Sequence, residues 1–296
     1  MAEGGDKDAE IASLKAQLAQ LSPTPTPYHP SFPSEALLAA GEHGASGPFT
    51  PDGPVGQWFD EQAPKFEPMA DATPRELEIF AMDAVDYVAA RKAGTITCLE
   101  YATAAVKRLV HYKESNQFIL TSYGLTDKIL AQAAALDDKA AAEGVESIAP
   151  LYGLPIPIKG TAATVDFPTS VGCGVLDGFY AKKDCDLVTR LKAAGAVVMG
   201  KTNVPEFAAS WITLNRTNGV CWNVYPSTTG ALTTGGSSGG AACAVAARVA
   251  PIAMTEDTGG STRHPAHQCG NFGYDPPRNK YPNDGNPGIT YWNDVR

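Results

Sequence analysis

The 296 residues, 44% of them hydrophobic, suffice to bury the core of one large domain or two ordinary ones. The net charge of −9 sits at the front, where residues 1–100 carry 16 acidic against 6 basic side chains and the remainder 16 against 17. Without a basic patch there is no reason to expect nucleic acid as a partner, and without an apolar run of about 18 residues none to expect a membrane-spanning helix. Cys98, Cys173, Cys185, Cys221, Cys243 and Cys269 form no C-x-x-C pair, which argues against a zinc site and a disulfide scaffold. The acidic start MAEGGDKDAE lacks the basic and apolar regions of a signal peptide, so a reducing, cytoplasmic compartment is expected.

Residues 7–21 space Ile11, Leu14, Leu18 and Leu21 at helical a/d positions, over about two heptads. This predicts a short terminal helix, solvated or loosely docked. Prolines 23, 25, 27, 30 and 33 then favour an extended linker. Residues 41–68 read either as a strap over the main domain or as disorder. An acidic, Pro/Gly-rich extension over 1–72 thus precedes a folded domain over 73–296.

Thr73, Pro74 and Glu76 form a helix start with a capping box and an N1 proline. The pattern predicts one helix to about Lys92 with Leu77, Phe80, Ala81, Ala84, Val85 and Val88 on its inward face, stopped at Gly94. A second helix, capped by Thr97, runs from Leu99 to about Tyr112. A short strand is predicted over Gln117–Thr121 and an alanine-rich helix over 125–143, closed by Gly144. From Leu151 the composition turns to short apolar strands and glycine turns. The predicted elements are a strand Pro155–Lys159, a helix Asp186–Ala194 with Leu187, Val188 and Leu191 inward, a strand Ala196–Gly200, a helix Ala241–Arg248 and a strand Pro251–Thr255. This rhythm predicts an α/β fold, a mixed sheet covered by helices.

Two glycine–serine clusters, Gly235–Gly240 and Thr258–Ser261, flank the alanine helix and the last strand. GGSSG fits the G-x-S-x-G nucleophile elbow, but a polar loop precedes it where the elbow needs a strand. The Lys-Ser/Thr ending of a phosphate-binding loop is absent. Ser261 is better placed as a nucleophile, since N–H groups of its glycine turn can converge on an oxyanion. A serine needs a base, and with no well-placed histidine the candidate is a buried lysine of depressed pKa. Lys159 ends an apolar strand; its local pattern fits equally a lysine that extends its amine to solvent.

The pieces GLPIPIKG (153–160), FPTSVG (167–172), DLVTRLKAAGAVVMGKTNVPEFA (186–208), TTGGSSGGAACAVAARVAPIAMTEDTGGSTRHPA (233–266) and CGNFG (269–273) resemble the amidase signature family of serine hydrolases. The resemblance implies hydrolysis of a small-molecule carboxylic amide through an acyl-enzyme, with no metal or organic cofactor. It makes Ser261 the nucleophile, Lys159 the base and Ser237, joined to its neighbour by a cis peptide, the relay between them. It gives the N–H groups of Thr258, Gly259, Gly260 and Ser261 an oxyanion-hole role, and Ser238, Asp257 and Arg263 supporting roles, the last two as an ion pair. The alternatives are a protein like the glutamine-dependent amidotransferase A subunit, which releases ammonia from glutamine, an inactive truncated homologue, and a hydrolase using Ser237.

Glu256 stands where that family has a small or hydroxyl residue. His264 replaces an apolar residue and is a candidate substrate-binding group, with Asp275 as a second group able to reshape the pocket. Family members continue for a hundred or more residues past the nucleophile, so a truncated domain is expected. Its exposed sheet edge would invite a partner or a second copy.

Overall fold

A computed structural model describes residues 12, 16, 69–113, 119–120, 125–225, 232–277 and 280–286. Of the predicted terminal helix only positions 12 and 16 are described, both helical. The proline-rich 22–33 and the stretch 41–68 lie outside the described residues.

The chain opens with two helices where one was predicted, α1 (Pro74–Ala81) and α2 (Ala84–Lys92). The Thr73–Glu76 capping box is present, with Glu76 accepting from Thr73 N–H at 2.6 Å. The break comes from a second box: Asp83 accepts from the N–H groups of Val85 at 2.7 Å and Asp86 at 2.8 Å, and the Asp86 carboxylate accepts from Asp83 N–H. Met82 is therefore extended, and the inward face is reset. Ile79, Phe80 and Tyr87 are buried, whereas Leu77 and Val85, expected inside, are 55% and 76% exposed. Gly94 takes φ +70° just past α2, the left-handed stop its sequence position suggested.

Helix α3 (Cys98–Lys113) is capped by Thr97, whose hydroxyl accepts from Glu100 N–H at 3.0 Å. Strand β1 (Ile119–Leu120) and helix α4 (Leu125–Glu143) follow. Asp137 of α4 ties the three helices together. Its carboxylate accepts from Cys98 N–H at 3.0 Å, from Leu99 N–H at 2.9 Å and from the Arg91 guanidinium at 3.0 Å. A carboxylate at a helix N-terminus meets N–H groups that lack intrahelical partners and a favourable dipole.

The central sheet is built from β1, β2 (Pro155–Lys159) and β3 (Val197–Thr202), in the order β1-β3-β2. β2 and β3 are parallel, with Ile156 opposite Val198 and Lys159 opposite Thr202; β1 and β3 are antiparallel. Every residue of β2 and β3 is buried, which requires cover on both faces. That cover includes α4, α5 (Asp186–Ala193) and α6 (Gly239–Ala246). In α5 Val188 is buried while Leu187 and Leu191 are half-buried against the core. Helix α6 carries nothing larger than cysteine and alanine on its buried positions Gly239 to Ala244, so its backbone lies close to the sheet.

The last predicted strand, 251–255, shrinks to a single residue. Met254 bridges Ile158 in parallel fashion, accepting from Lys159 N–H at 3.0 Å and donating to Pro157 C=O at 2.9 Å. Among the described residues nothing pairs on its other side, and Ile252 is exposed. A small hairpin, β4 (Leu214–Asn215) and β5 (Gly219–Val220), and helix α7 (Arg263–Gln268) complete the described elements. The apolar pattern indicates neither hairpin strand, each only two residues long.

Candidate active site

Lys159 reaches the site from the end of β2. Its side chain is 1% exposed, and its Nζ donates to Ser237 Oγ at 2.7 Å. Two further acceptors surround the amine, the Glu256 carbonyl at 3.3 Å and Glu256 Oε1 at 3.3 Å. Burial pushes the Lys159 pKa down, and the neighbouring Glu256 carboxylate pushes back with less effect.

Ser237 is fully buried in the turn before α6, and its peptide bond to Gly236 is cis. The loop is clamped from the hairpin side by Thr213, whose hydroxyl donates to Gly235 C=O at 2.9 Å and accepts from Gly239 N–H at 3.1 Å. Gly236 has to be glycine: a Cβ there would lie 2.6 Å from Ser210 C=O and 2.8 Å from the Trp211 backbone. Ser238 links the two glycine–serine loops. Its N–H donates to Ser261 C=O at 3.2 Å and its hydroxyl to Glu256 C=O at 3.4 Å.

Ser261 is half-buried, and its hydroxyl makes no hydrogen bond among the described residues. The structure thus joins Lys159 to Ser237 directly and brings Ser261 beside them through its backbone. Its turn is held by Asp257, whose carboxylate accepts from the N–H groups of Gly260 (2.5 Å), Thr262 (3.0 Å) and Arg263 (3.1 Å). The Arg263 guanidinium adds a two-pronged pair at 3.0 Å on each oxygen. Burial raises the Asp257 pKa, but Arg263 and these N–H groups outweigh it and hold the carboxyl at about 2. Asp257 and Arg263 therefore form the expected ion pair. Asp275 lies 3.5 Å from the same guanidinium and joins this pair.

One expectation is corrected by this geometry. The Gly260 N–H is committed to Asp257, so it is not free for an oxyanion. Among the described residues the N–H groups of Thr258, Gly259 and Ser261 have no partner. Gly260, at φ +118°, packs against the Trp211 ring, which would lie 3.1 Å from a Cβ at this position. Trp211 also meets His264 edge-on at 5.0 Å, and His264 Nδ1 lies 3.4 Å from Gly236 C=O. His264 thus backs the Ser237 loop beside a 58%-exposed indole.

Sequence reasoning missed Thr213, Trp211 and Lys201. Lys201 lies on β3, fully buried, and its amine donates to Ala162 C=O and to Thr169 Oγ1. Burial lowers its pKa to about 7, against opposing pulls from Cys185, Glu256 and Asp184. A lysine interrupting an apolar strand was a usable signal; Thr213, in a polar loop, gave none.

The sequence signature of the family described as Amidase matches residues 100–295. The A subunit of the glutamyl-tRNA(Gln) amidotransferase of Thermobifida fusca (strain YX) is 36% identical over 199 residues, 67% of this chain and 39% of that protein. The structure of the peptide amidase PAM with the competitive inhibitor chymostatin superposes with a TM-score of 0.65 at 29% identity, over 71% of this chain and 43% of that one. A chain from a vestigial protein complex, described as revealing the evolutionary origins of an s-triazine catabolic enzyme, gives 0.65 at 30% identity, over 71% and 45%. The chain spans about two fifths of the length of these relatives. By this signature the chain belongs to the Amidase family, on the amidase signature fold.

Proposed function

We propose that the chain hydrolyses a carboxylic amide through an acyl-enzyme on Ser261. The observation that carries this is the 2.7 Å hydrogen bond from a fully buried lysine amine to a fully buried serine hydroxyl, beside a turn with three N–H groups that have no partner among the described residues. Lys159, neutral, takes the Ser237 proton as Ser237 takes the Ser261 proton, and Ser261 Oγ attacks the amide carbon. The N–H groups of Thr258, Gly259 and Ser261 stabilise the oxyanion, an effect worth about 3 kcal/mol per donor in comparable sites. The relay returns the proton to the leaving amine, and water then releases the acid. Ser238, Asp257 and Arg263 hold the two loops, and His264 with Trp211 lines the substrate side.

Labelling with a fluorophosphonate followed by peptide mapping tests this. The adduct is expected on Ser261; an adduct on Ser237 overturns the assignment of roles, and no adduct from a folded chain favours a catalytically inactive homologue. A second reading, in which the acyl group comes from glutamine and the ammonia passes to a partner, is favoured by the similarity to the amidotransferase A subunit. Glutaminase activity that rises when partner proteins co-purify supports it.

The six cysteines are free, five of them buried, which supports a reducing, cytoplasmic setting. Among the described residues no helix is long and apolar enough to cross a membrane. The half-exposed edge at Met254 supports cover by a partner or second copy, read by sedimentation of the chain alone and with added partner.

A further inference from the structure

We infer that Glu256 is a positioning residue that fixes the charge state of Lys159, and through it the pH at which Ser261 becomes reactive. This rests on the triad reading and adds to it a residue that reading does not need.

A lysine ammonium has three N–H donors and a neutral amine two. The Lys159 amine faces three acceptors: Ser237 Oγ at 2.7 Å, Glu256 C=O at 3.3 Å and Glu256 Oε1 at 3.3 Å. One residue supplies two of them, one of these a full negative charge. Glu256 is itself buried at 7% exposure, and its second oxygen, Oε2, has no hydrogen-bond partner among the described residues. A buried carboxylate with one bare oxygen is costly unless a cation faces it. The arrangement therefore fits an ammonium at rest, whereas the base step needs the free amine.

The other charged groups around the amine do not substitute for Glu256. Asp257 also faces Lys159, but its carboxylate is neutralised by Arg263 and three N–H groups. Lys201, from the neighbouring strand, feels the same Glu256 carboxylate but supplies no negative charge. Ser237 contributes a hydroxyl. Glu256 is thus the carboxylate in direct contact with the Lys159 amine. In the fluorophosphonate reaction the Ser261 oxygen–phosphorus bond forms, fluoride leaves, and the Ser261 proton moves by way of Ser237 to the Lys159 amine. Only the fraction of chains with a neutral Lys159 can accept it.

The second-order labelling rate, measured from pH 6 to 10 with the adduct mapped, compares the chain with Glu256→Gln. The ascending limb is expected to move to lower pH by one unit or more, so that labelling well below both midpoints is tenfold faster or more. An unchanged midpoint with a lower plateau, or a shift to higher pH, overturns the inference. Glu256→Ser serves if the glutamine variant does not fold. Independently of reactivity, the ¹³Cε resonance of Lys159, assigned through Lys159→Met and titrated in a Ser261→Ala background, is expected to move with Glu256→Gln in the same direction. No adduct at any pH together with a shifted resonance overturns the triad and leaves the coupling standing; an unshifted resonance overturns the coupling whatever the labelling.

Discussion

Lys159 and Lys201 stand near the ends of neighbouring parallel strands, both buried, yet their amines meet different company. Lys201 donates to two uncharged oxygens, the Ala162 carbonyl and the Thr169 hydroxyl, which suit the two N–H groups of a neutral amine. Lys159 meets a serine hydroxyl and a carboxylate. Burial drives both pKa values down, so burial does not distinguish a base from a cross-link. What lies at Nζ does: a carboxylate and the hydroxyl of a serine in the loop beside Ser261 in one case, a backbone carbonyl and a threonine hydroxyl in the other.

The largest expected effect separates the two. Lys159→Met should lower fluorophosphonate labelling by about 10²–10⁴, the usual contribution of a positioned general base, and it should lower the melting temperature too, because it leaves the buried Glu256 carboxylate without its cation. Lys201→Met should act on stability and not on labelling, since it removes the donor shared by the Ala162 carbonyl and the Thr169 hydroxyl in the core, at a cost of about 1–3 kcal/mol. Urea unfolding beside the labelling rate checks both; the comparison breaks if Lys201→Met slows labelling as much as Lys159→Met does without loss of stability.

The carboxylates extend the comparison. Asp257, unlike Glu256, is saturated with donors, so Asp257→Asn should destabilise by about 2 kcal/mol, less than a fully buried pair would because the Arg263 side chain is 54% exposed. Its folded pKa is depressed from the ordinary 3.8 to about 2. The stabilisation is therefore complete above about pH 4 and lost as the pH falls through about 2. An acid unfolding curve should lose this component in Asp257→Asn.

Lys201 supplies the opposite sign. Its folded pKa of about 7 lies below the unfolded 10.5, so the unfolded chain binds more protons between those values. Stability should rise with pH across that window, and Lys201→Met should flatten the rise. The smallest effect belongs to the helical lead-in, remote from both lysines: Asp83→Ala should cost about 1 kcal/mol, a typical N-cap loss, and leave the labelling rate alone.

Much of this was legible in the sequence where composition and backbone chemistry agree. Pro155–Lys159 and the alanine helix appeared from apolar runs bounded by glycine, and the two serine loops from their glycines. The single helix over 74–92 was misjudged because Asp83 and Asp86 form a capping box inside an otherwise continuous helical pattern, and side-chain caps outweigh weak periodicity. The strand over 251–255 was overstated because an apolar stretch becomes a strand only where a neighbour pairs with it. Lys159 itself was ambiguous on local pattern; only the fold brings a residue 78 positions later to its amine. The Gly260 N–H was assigned to an oxyanion because sequence cannot show that Asp257 already holds it.

The single bridge between Ile158 and Met254 has a consequence for the Lys159 amine. Lys159 follows the bridged residue on one strand by one position, and Glu256 follows its partner on the other by two. The ladder's register thus sets which acidic or neutral side chain the amine sees. One inserted or deleted residue between Pro251 and Glu256 would exchange that neighbour without touching any residue of the triad. A register slip in this segment should therefore change the pH dependence of labelling by way of the Lys159 neighbour alone.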